Sequence, residues 1–161
     1  MAKRQQLITC PPDQVWAVLA DATGYARWVV GTQDILHADA AWPAVGAELR
    51  FRVGLGPVHF TDSCVVRICE PGHRLELEAK AEPFGTARIA IELIPWGRNT
   101  LVLLDEHPLL GPGARLQGPP SELLLHLRNR RMLGNLARTA LDAHRRSPTK
   151  AKATATARPA D

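Results

Sequence analysis

The sequence predicts an α+β fold in which a curved antiparallel sheet of about seven strands wraps around a long C-terminal helix. Between residues 47 and 107, apolar side chains recur in several segments at every second position, the period of half-buried strands. Short turn sequences join these segments and favour antiparallel hairpins. From residue 119 onward the apolar side chains recur with the helical period. The 161 residues are enough for one domain and, at most, a short tail.

The chain begins with a predicted strand, two short helices and a second strand. We expect the first strand near residues 3 to 9 and the second around residues 32 to 38. Between them Pro11 and Pro12 open a helix, because proline is favoured at the start of helices. Gly24 ends this helix before a second short helical turn.

The central strands are half-buried. Apolar and charged side chains alternate in residues 47 to 53 (AELRFRV) and 74 to 81 (RLELEAKA). Residues 58 to 68, 86 to 94 and 99 to 107 are predicted as strands in the same way. Each strand then has an apolar face that another element must cover, and the C-terminal helix is the single large apolar element available.

The C-terminal helix is predicted over residues 119 to 146, with Ser121 as its N-cap. Its apolar face consists of Leu125, Met132, Leu133, Leu136, Ala137, Ala140 and Leu141. Its polar face consists of Arg128, Arg131, Arg138, Asp142 and Arg145. Residues 147 to 161 contain no large apolar side chain. We therefore expect one domain at residues 1 to 146 and a disordered basic tail at 147 to 161.

The composition limits the classes of function. Cys10, Cys64 and Cys69 form no CxxC pair and show no zinc-ligand spacing with the six histidines. The GxSxG, GxxxxGK(S/T), GxGxxG and HExxH motifs are absent from the sequence, and we expect neither a metal nor a cofactor. No apolar run is long enough for a membrane span. We expect a soluble, cytoplasmic protein that is a monomer or a homodimer.

The formal net charge of +4 is concentrated near the C-terminus. Residues 1 to 120 carry 11 Lys and Arg against 13 Asp and Glu, whereas residues 121 to 161 carry 9 against 3. Nucleic-acid modules usually combine a basic face with aromatic stacking platforms, and only 5% of this chain is aromatic. The pattern favours a solvated helix face and tail over nucleic acid as a partner.

A sheet that closes around one helix is expected to leave a cavity. Gly134, Ala137 and Ala140 lie on or beside the inner face of the helix and are small. Concave, mostly apolar cavities with a few polar groups are the usual sites for small molecules. The sequence therefore predicts a hydrophobic small molecule as the partner.

Several segments resemble a known family. These are PPDQVWAVLAD, GYARWVVG, WPAVG, HFTDSCVVRICEPGHRLELEA and RNRRMLGNLARTAL. They resemble the START-like, helix-grip proteins grouped as SRPBCC or polyketide cyclase/dehydrase and lipid-transport proteins, over about residues 3 to 144. The resemblance implies a seven-stranded sheet around a long helix, enclosing a pocket for hydrophobic ligands. Members include lipid carriers, hormone receptors, aromatase/cyclases and many bacterial proteins, and the chain is most similar to the bacterial ones.

Polar side chains on the apolar faces are the candidate functional groups, because an inward polar group is costly unless it is paired or used. Asp62 shares a face with Phe60, and Asp105 and His107 share a face with Leu103. If Asp62 or Asp105 reaches His107, the imidazole could act as a general acid or base. Alternatively, Asp105 and His107 face water at the strand end, and Asp62 binds neighbouring backbone groups or an arginine.

On the helix, Asn129 falls within the apolar face and could orient a ligand or fill a local hydrogen-bond gap. The predicted ligand-binding residues are Trp28, Phe51, Phe60, Asp62, Leu77, Ile89, Ile91, Leu103, Asn129, Met132 and Leu136. Three functions remain open. The protein is a carrier or sensor of a lipid-like or polyketide-like molecule, an aromatase/cyclase/dehydrase-type enzyme using Asp62, Asp105 or His107, or a basic module for acidic partners.

Overall fold

The computed structural model describes residues 2–55, 58–81, 85–110 and 119–155. The strands are β1 (Ala2–Ile8), β2 (Thr32–Ala38), β3 (Glu48–Leu55), β4 (Val58–Glu70), β5 (Arg74–Ala81), β6 (Gly85–Trp96) and β7 (Asn99–Leu110). The helices are α1 (Pro12–Ala20), α2 (Tyr25–Trp28) and α3 (Pro119–Ala155), with a single turn of 3-10 helix at Ala22–Gly24.

The strands of the described segments form one seven-stranded antiparallel sheet in the order β1-β7-β6-β5-β4-β3-β2. Strands β2 to β7 are neighbours in chain order, as short hairpin connections require. Strand β1 lies beside β7 at the other edge. With the two short helices after β1 and the long C-terminal helix, this architecture confirms the predicted fold class.

The two short helices are fixed by local contacts at one end of the sheet. Helix α1 starts at Pro12, where the missing backbone N–H costs no intrahelical hydrogen bond. The Asp21 carboxylate accepts the backbone N–H of Thr23 at 3.0 Å and caps the next turn. The Tyr25 hydroxyl donates to the Leu19 carbonyl at 3.1 Å, which ties α2 to the end of α1.

The core lies between the inner face of the sheet and helices α1 and α3. Its fully buried apolar members from the sheet are Ile8, Leu49, Val66, Leu75, Ile91, Leu93, Val102 and Leu104. From the helices it contains Val15, Leu19, Met132, Leu136 and Ala140. Of the predicted apolar face of the C-terminal helix, Met132, Leu133, Leu136, Ala137 and Ala140 are buried and Leu141 is half-buried, whereas the side chain of Leu125 lies outside the described residues. The helix packs mainly against β1, α1 and α2, which leaves the middle of the sheet less covered.

Helix α3 is longer than the sequence pattern predicts. It continues through Ala155, so residues 147 to 155, expected in a disordered tail, are helical. Alanine and lysine in this segment are strong helix formers, and a helix that has already formed extends without a new nucleation cost. Residues 156 to 161 of the expected tail lie outside the described residues. No helix within the described segments is long and apolar enough to cross a membrane.

Candidate functional site

A cavity of about 630 Å³ lies between the inner face of the sheet, α2 and the part of α3 that carries Arg128 and Met132. Its apolar walls are formed by Tyr25, Trp28, Val29, Val30, Phe51, Val53, Phe60, Leu77, Ala79, Ala87, Ile89 and Met132. Its polar or ionisable lining residues are Thr32, Asp62, Cys64, Lys80, Glu106 and Arg128. Phe60 is 59% exposed although it lines the cavity, which places it at the mouth. The site is mostly apolar with a few polar groups, the usual character of a small-molecule site.

The most buried charge of the cavity wall is the carboxylate of Glu106 on β7, a residue that is only 4% exposed. Arg128 on α3 donates from Nη1 to Glu106 Oε1 at 2.8 Å. This ion pair joins the helix to the strand and makes the local charge neutral. The other carboxylate oxygen, Oε2, is buried and has no hydrogen-bond partner among the described residues.

The register of β7 explains why Glu106 points inward. Strand β7 pairs with β6 so that Leu104 lies opposite Ile91 and Glu106 opposite Ile89. Ile91 is buried in the core and Ile89 lines the cavity. Because facing residues of paired strands share one side of a sheet, Leu104 and Glu106 lie on the inner face as well.

The predicted inward facing of Asp105 and His107 was wrong. Even-numbered side chains of β7 face the core, so Leu103, Asp105 and His107 project from the outer face. Leu103 and Asp105 line a separate outer pocket with Lys3, Arg88 and neighbouring residues, and Leu103 is no wall of the cavity. Residues 101 to 104 are all apolar (LVLL). The sequence alone therefore does not show which alternate side chains of this strand face the core.

Asp105 and His107 lie close together on the outer face of the sheet. His107 Nε2 lies 2.9 Å from Asp105 Oδ1, and Lys3 Nζ lies 3.5 Å from Asp105 Oδ2. Asp105 lines the outer pocket, whereas Asp62 lines the cavity on the opposite side of the sheet. Asp62 therefore does not reach His107. Its Oδ1 accepts the backbone N–H of Ser63 at 2.7 Å.

The remaining predicted ligand-binding residues occupy two zones. The lining of the cavity includes Trp28, Phe51, Phe60, Asp62, Leu77, Ile89 and Met132. Ile91 and Leu136 lie deeper, packed together with Trp28 and Met132 in the solid core. Asn129 is completely buried but is not part of the lining, and neither its Oδ1 nor its Nδ2 has a partner among the described residues.

Sequence reasoning missed the pair Glu106 and Arg128. The helical projection placed Arg128 on the polar face with Arg131 and Arg138. Because the odd-numbered side chains of β7 were predicted to face inward, Glu106 was not considered as a cavity residue. One signal was available, because Arg128 lies next to Asn129 and one helical turn before Met132. A long arginine side chain at the edge of an apolar face can reach inward.

The Cys64 thiol in the cavity wall is not an activated nucleophile. Burial, followed by the nearby carboxylates of Asp62 and Glu48, raises the pKa of Cys64 to about 12. A thiol with this pKa is protonated at neutral pH and reacts slowly. Burial also raises the pKa of Tyr25 well above its ordinary value. In the described segments, no group of three His, Cys, Asp or Glu is arranged to hold a metal ion.

Comparison with solved structures shows the same fold in other proteins. Protein NE0264 from Nitrosomonas europaea superposes with a TM-score of 0.70 at 18% identity, covering 87% of this chain and 93% of that chain. Ara h 8.0201 gives a TM-score of 0.63 at 7% identity, covering 87% and 96%. DynU16, a protein in the dynemicin biosynthetic locus, gives 0.62 at 22% identity over 85% of this chain. This chain spans 45% of the DynU16 chain. No curated protein sequence matches.

The family follows from a match at the level of the sequence. The family model described as "Polyketide cyclase / dehydrase and lipid transport" matches residues 2–140. This span contains all of the sheet, helices α1 and α2, and the part of α3 that carries Arg128 and Met132. The match confirms the resemblance that the sequence segments indicated. The chain therefore belongs to the polyketide cyclase/dehydrase and lipid transport (SRPBCC) family.

Proposed function

We propose that this protein binds a hydrophobic or amphipathic small molecule, lipid-like or polyketide-like, in the cavity, as a carrier or sensor. The observation that carries the proposal is the cavity itself, whose volume of about 630 Å³ falls within the range of about 300 to 1,000 Å³ typical of ligand sites. Burial of apolar ligand surface contributes about 25 cal/mol per Å². Family membership supports the same class of ligand.

The residues that line the cavity would have different roles in binding a ligand. Phe51, Leu77, Ile89 and Met132 supply apolar contacts from three strands and the helix. Asp62 offers a carboxylate within an otherwise apolar part of the sheet, where it would orient a polar group of the ligand. A ligand held in this way is shielded from water mostly by side chains of the strands and helices.

Filling the cavity tests the proposal. Ala87 on β6 lines the cavity, whereas Ala90 on the same strand lines the outer pocket. In fluorescence titrations with N-phenyl-1-naphthylamine, a neutral apolar probe, Ala87→Leu is expected to weaken binding at least about tenfold. The matched Ala90→Leu variant should bind as the unmodified protein does.

Absence of probe binding to the unmodified protein, or equal binding by both variants, would overturn the proposal. Native mass spectrometry of the freshly purified protein provides an independent measurement. A retained small molecule that is lost in Ala87→Leu but kept in Ala90→Leu would give the chemical class of the ligand.

A second candidate function is a cyclase- or dehydrase-type enzyme. It is favoured by the presence of two carboxylates, Asp62 and Glu106, in the lining of one apolar cavity, where proton transfer to or from a bound molecule could take place. The two functions differ in the effect of Asp62→Asn. In an enzyme this change lowers the turnover rate of a bound substrate, whereas in a carrier it changes affinity and no product forms.

We also propose a cytoplasmic location. The thiols of Cys10, Cys64 and Cys69 are free, and free thiols are typical of proteins in a reducing compartment. Fractionation of the native cells with antibody detection tests this, and recovery of the protein outside the cytoplasm would contradict it.

A further inference from the structure

The face of helix α3 that points away from the core carries a row of arginines. Arg131, Arg138 and Arg145 are spaced seven residues apart, and all three are exposed. Seven residues complete nearly two helical turns, so these side chains form one line with a spacing of about 10.5 Å along the helix axis. Leu136 and Ala140, which are buried in the core, project from the opposite side of the helix. We call the three exposed residues the arginine row.

No carboxylate forms an ion pair with the arginine row within the segments that the structure describes. The arginines that pair with Asp or Glu there are Arg50, Arg52, Arg67, Arg74, Arg88 and Arg128. Arg138 donates instead to the neutral amide oxygen of Asn135. Asp142 is the single acidic residue between residues 126 and 146. A solvated helix face usually mixes charges of both signs, and this face does not.

The rest of the chain has the opposite charge balance. Residues 1 to 120 carry a formal net charge of −2, whereas residues 121 to 161 carry +6. The positive charge is therefore separated onto the C-terminal helix and the segment that follows it. An anionic surface attracts and orients a molecule with this charge distribution, so that α3 turns toward the surface.

Two neighbours of the arginine row indicate the kind of anionic partner. Leu127, on the same face four residues before Arg131, is an exposed apolar side chain among arginines. Gly134 lies between Arg131 and Arg138, and a Cβ added there would meet no atom within 4 Å. This open space lets a phosphate group approach the guanidinium groups, which bind phosphates well. An anionic lipid surface offers both phosphates and an apolar layer. Single-stranded nucleic acid is bound by aromatic stacking, and α3 contains no Phe, Trp or Tyr.

We propose that the arginine row and Leu127 dock this protein on an anionic membrane surface, with α3 lying along that surface. The arginines bind headgroup phosphates, and Leu127 enters the boundary between the headgroups and the acyl chains. This inference goes beyond the proposed function, because it assigns a partner to the outer face of α3, whatever the cavity binds.

Co-sedimentation of the full chain with lipid vesicles tests the charge contacts. The chain is expected to bind phosphatidylcholine vesicles that contain about 30% phosphatidylglycerol at least about tenfold more tightly than pure phosphatidylcholine vesicles, and less tightly as salt rises from about 50 to about 300 mM. Arg131→Gln with Arg138→Gln should weaken this binding at least about tenfold. The matched variant is Arg52→Gln with Arg67→Gln, which removes the same charge from surface ion pairs of the sheet. It should lose less than about threefold.

The apolar contact is tested by Leu127→Gln. This change is expected to weaken vesicle binding by about threefold or more while leaving its salt dependence unchanged, because it removes apolar surface and no charge. No preference of the unmodified chain for anionic vesicles, or equal losses in the two double variants, would overturn the proposal. Salt-dependent binding to labelled RNA without binding to vesicles would also overturn it, because the partner would then be a nucleic acid. The vesicle comparison uses the unmodified chain and holds even if a variant fails to fold.

Discussion

Two titratable side chains in the cavity wall are held in their neutral form by burial. Cys64 on β4 has its pKa raised from 9.0 to about 12, and the pKa of Tyr25 on α2 is raised well above 10.0, in both cases mainly by desolvation. The folded protein therefore keeps protons at high pH that the unfolded chain releases. By linkage, the unfolded state gains stability relative to the folded state as it ionises.

This predicts a loss of stability in base. The contribution of Cys64 is fully present below about pH 9 and is lost as the pH rises toward about 12. Urea unfolding at pH 8, 9 and 10 should show a free energy of unfolding that falls with pH. In Cys64→Ala the fall should be shallower, because one of the raised groups has been removed. An unchanged slope in this variant would contradict the assignment.

Asn129 is a buried polar residue on the inner side of α3. It is completely buried and both polar atoms of its amide lack partners among the described residues. A buried polar group left unsatisfied costs on the order of 1 to 3 kcal/mol. Asn129 lies between Arg128 and Met132 on α3, which both line the cavity. The wall of the cavity therefore borders a buried amide group.

At the scale of elements, helix α3 has two functions. Its apolar face closes the core through residues such as Met132, Leu136 and Ala140, and Arg128 at the edge of that face reaches Glu106 on β7. The same helix thus stabilises the sheet and supplies a polar group to the cavity. Thr139 donates back to the Asn135 carbonyl at 2.9 Å, within the helix and away from the cavity.

Two leucines of this helix provide a matched test of its packing. Leu136 is 1% exposed and Leu127 is 54% exposed. Leu136→Ala should lower the free energy of unfolding by about 2 to 5 kcal/mol, because it removes buried methyl groups and leaves a void. Leu127→Ala should change it by less than about 0.5 kcal/mol. Urea denaturation followed by circular dichroism measures both, and similar losses in the two variants would contradict the observed facing.

Strand β7 shows how one element can present different chemistry on its two faces. The inner face carries Val102, Leu104 and Glu106, and the outer face carries Asp105 with its histidine and lysine neighbours. Glu76 on β5 is also buried on the outer side, between Arg74 at 2.8 Å and Arg88 at 2.6 Å. The outer ion pairs therefore belong to the outer surface of the sheet, and the cavity lies on the other side.

At the scale of the whole molecule, the cavity and the apolar core share one sheet. The helices α1 and α3 cover the side near β1, β6 and β7, and the cavity lies mainly in front of β3 to β6, with Thr32 of β2 and Glu106 of β7 at its borders. Space that is left unfilled forgoes packing contacts and lowers stability. A ligand that binds only the folded state restores stability by mass action.

The boundary of the domain at residue 146 remains a prediction that deletion can test. Residues 147 to 161 contain no large apolar side chain, so a chain ending at Arg146 should keep the thermal midpoint and the probe affinity of the full chain. If the basic C-terminal end serves acidic partners, binding to RNA or anionic vesicles should instead fall steeply with salt and with this deletion. A lowered thermal midpoint would show that the deleted segment is part of the domain.

Much of the fold could be predicted from local patterns. The alternation in residues 74 to 81 matches β5 residue for residue, and short connections between strands imply the order of β2 to β7. Facing was predictable where apolar and charged side chains alternate, as at Phe51, Asp62 and Leu77, which line the cavity. In β7 the four consecutive apolar residues 101 to 104 do not show which side chains face inward, and the inner face predicted for this strand was wrong.

The sequence by itself determined the number and type of the elements, their antiparallel order and the apolar face of α3, because these depend on periodicity and turn chemistry within short segments. The tertiary structure alone decided which face of β7 looks inward and that Arg128 meets Glu106. It also decided that Trp28 and Glu106 share one cavity. These contacts join residues far apart in the chain, and their geometry depends on how the sheet curves and on where the helix crosses it.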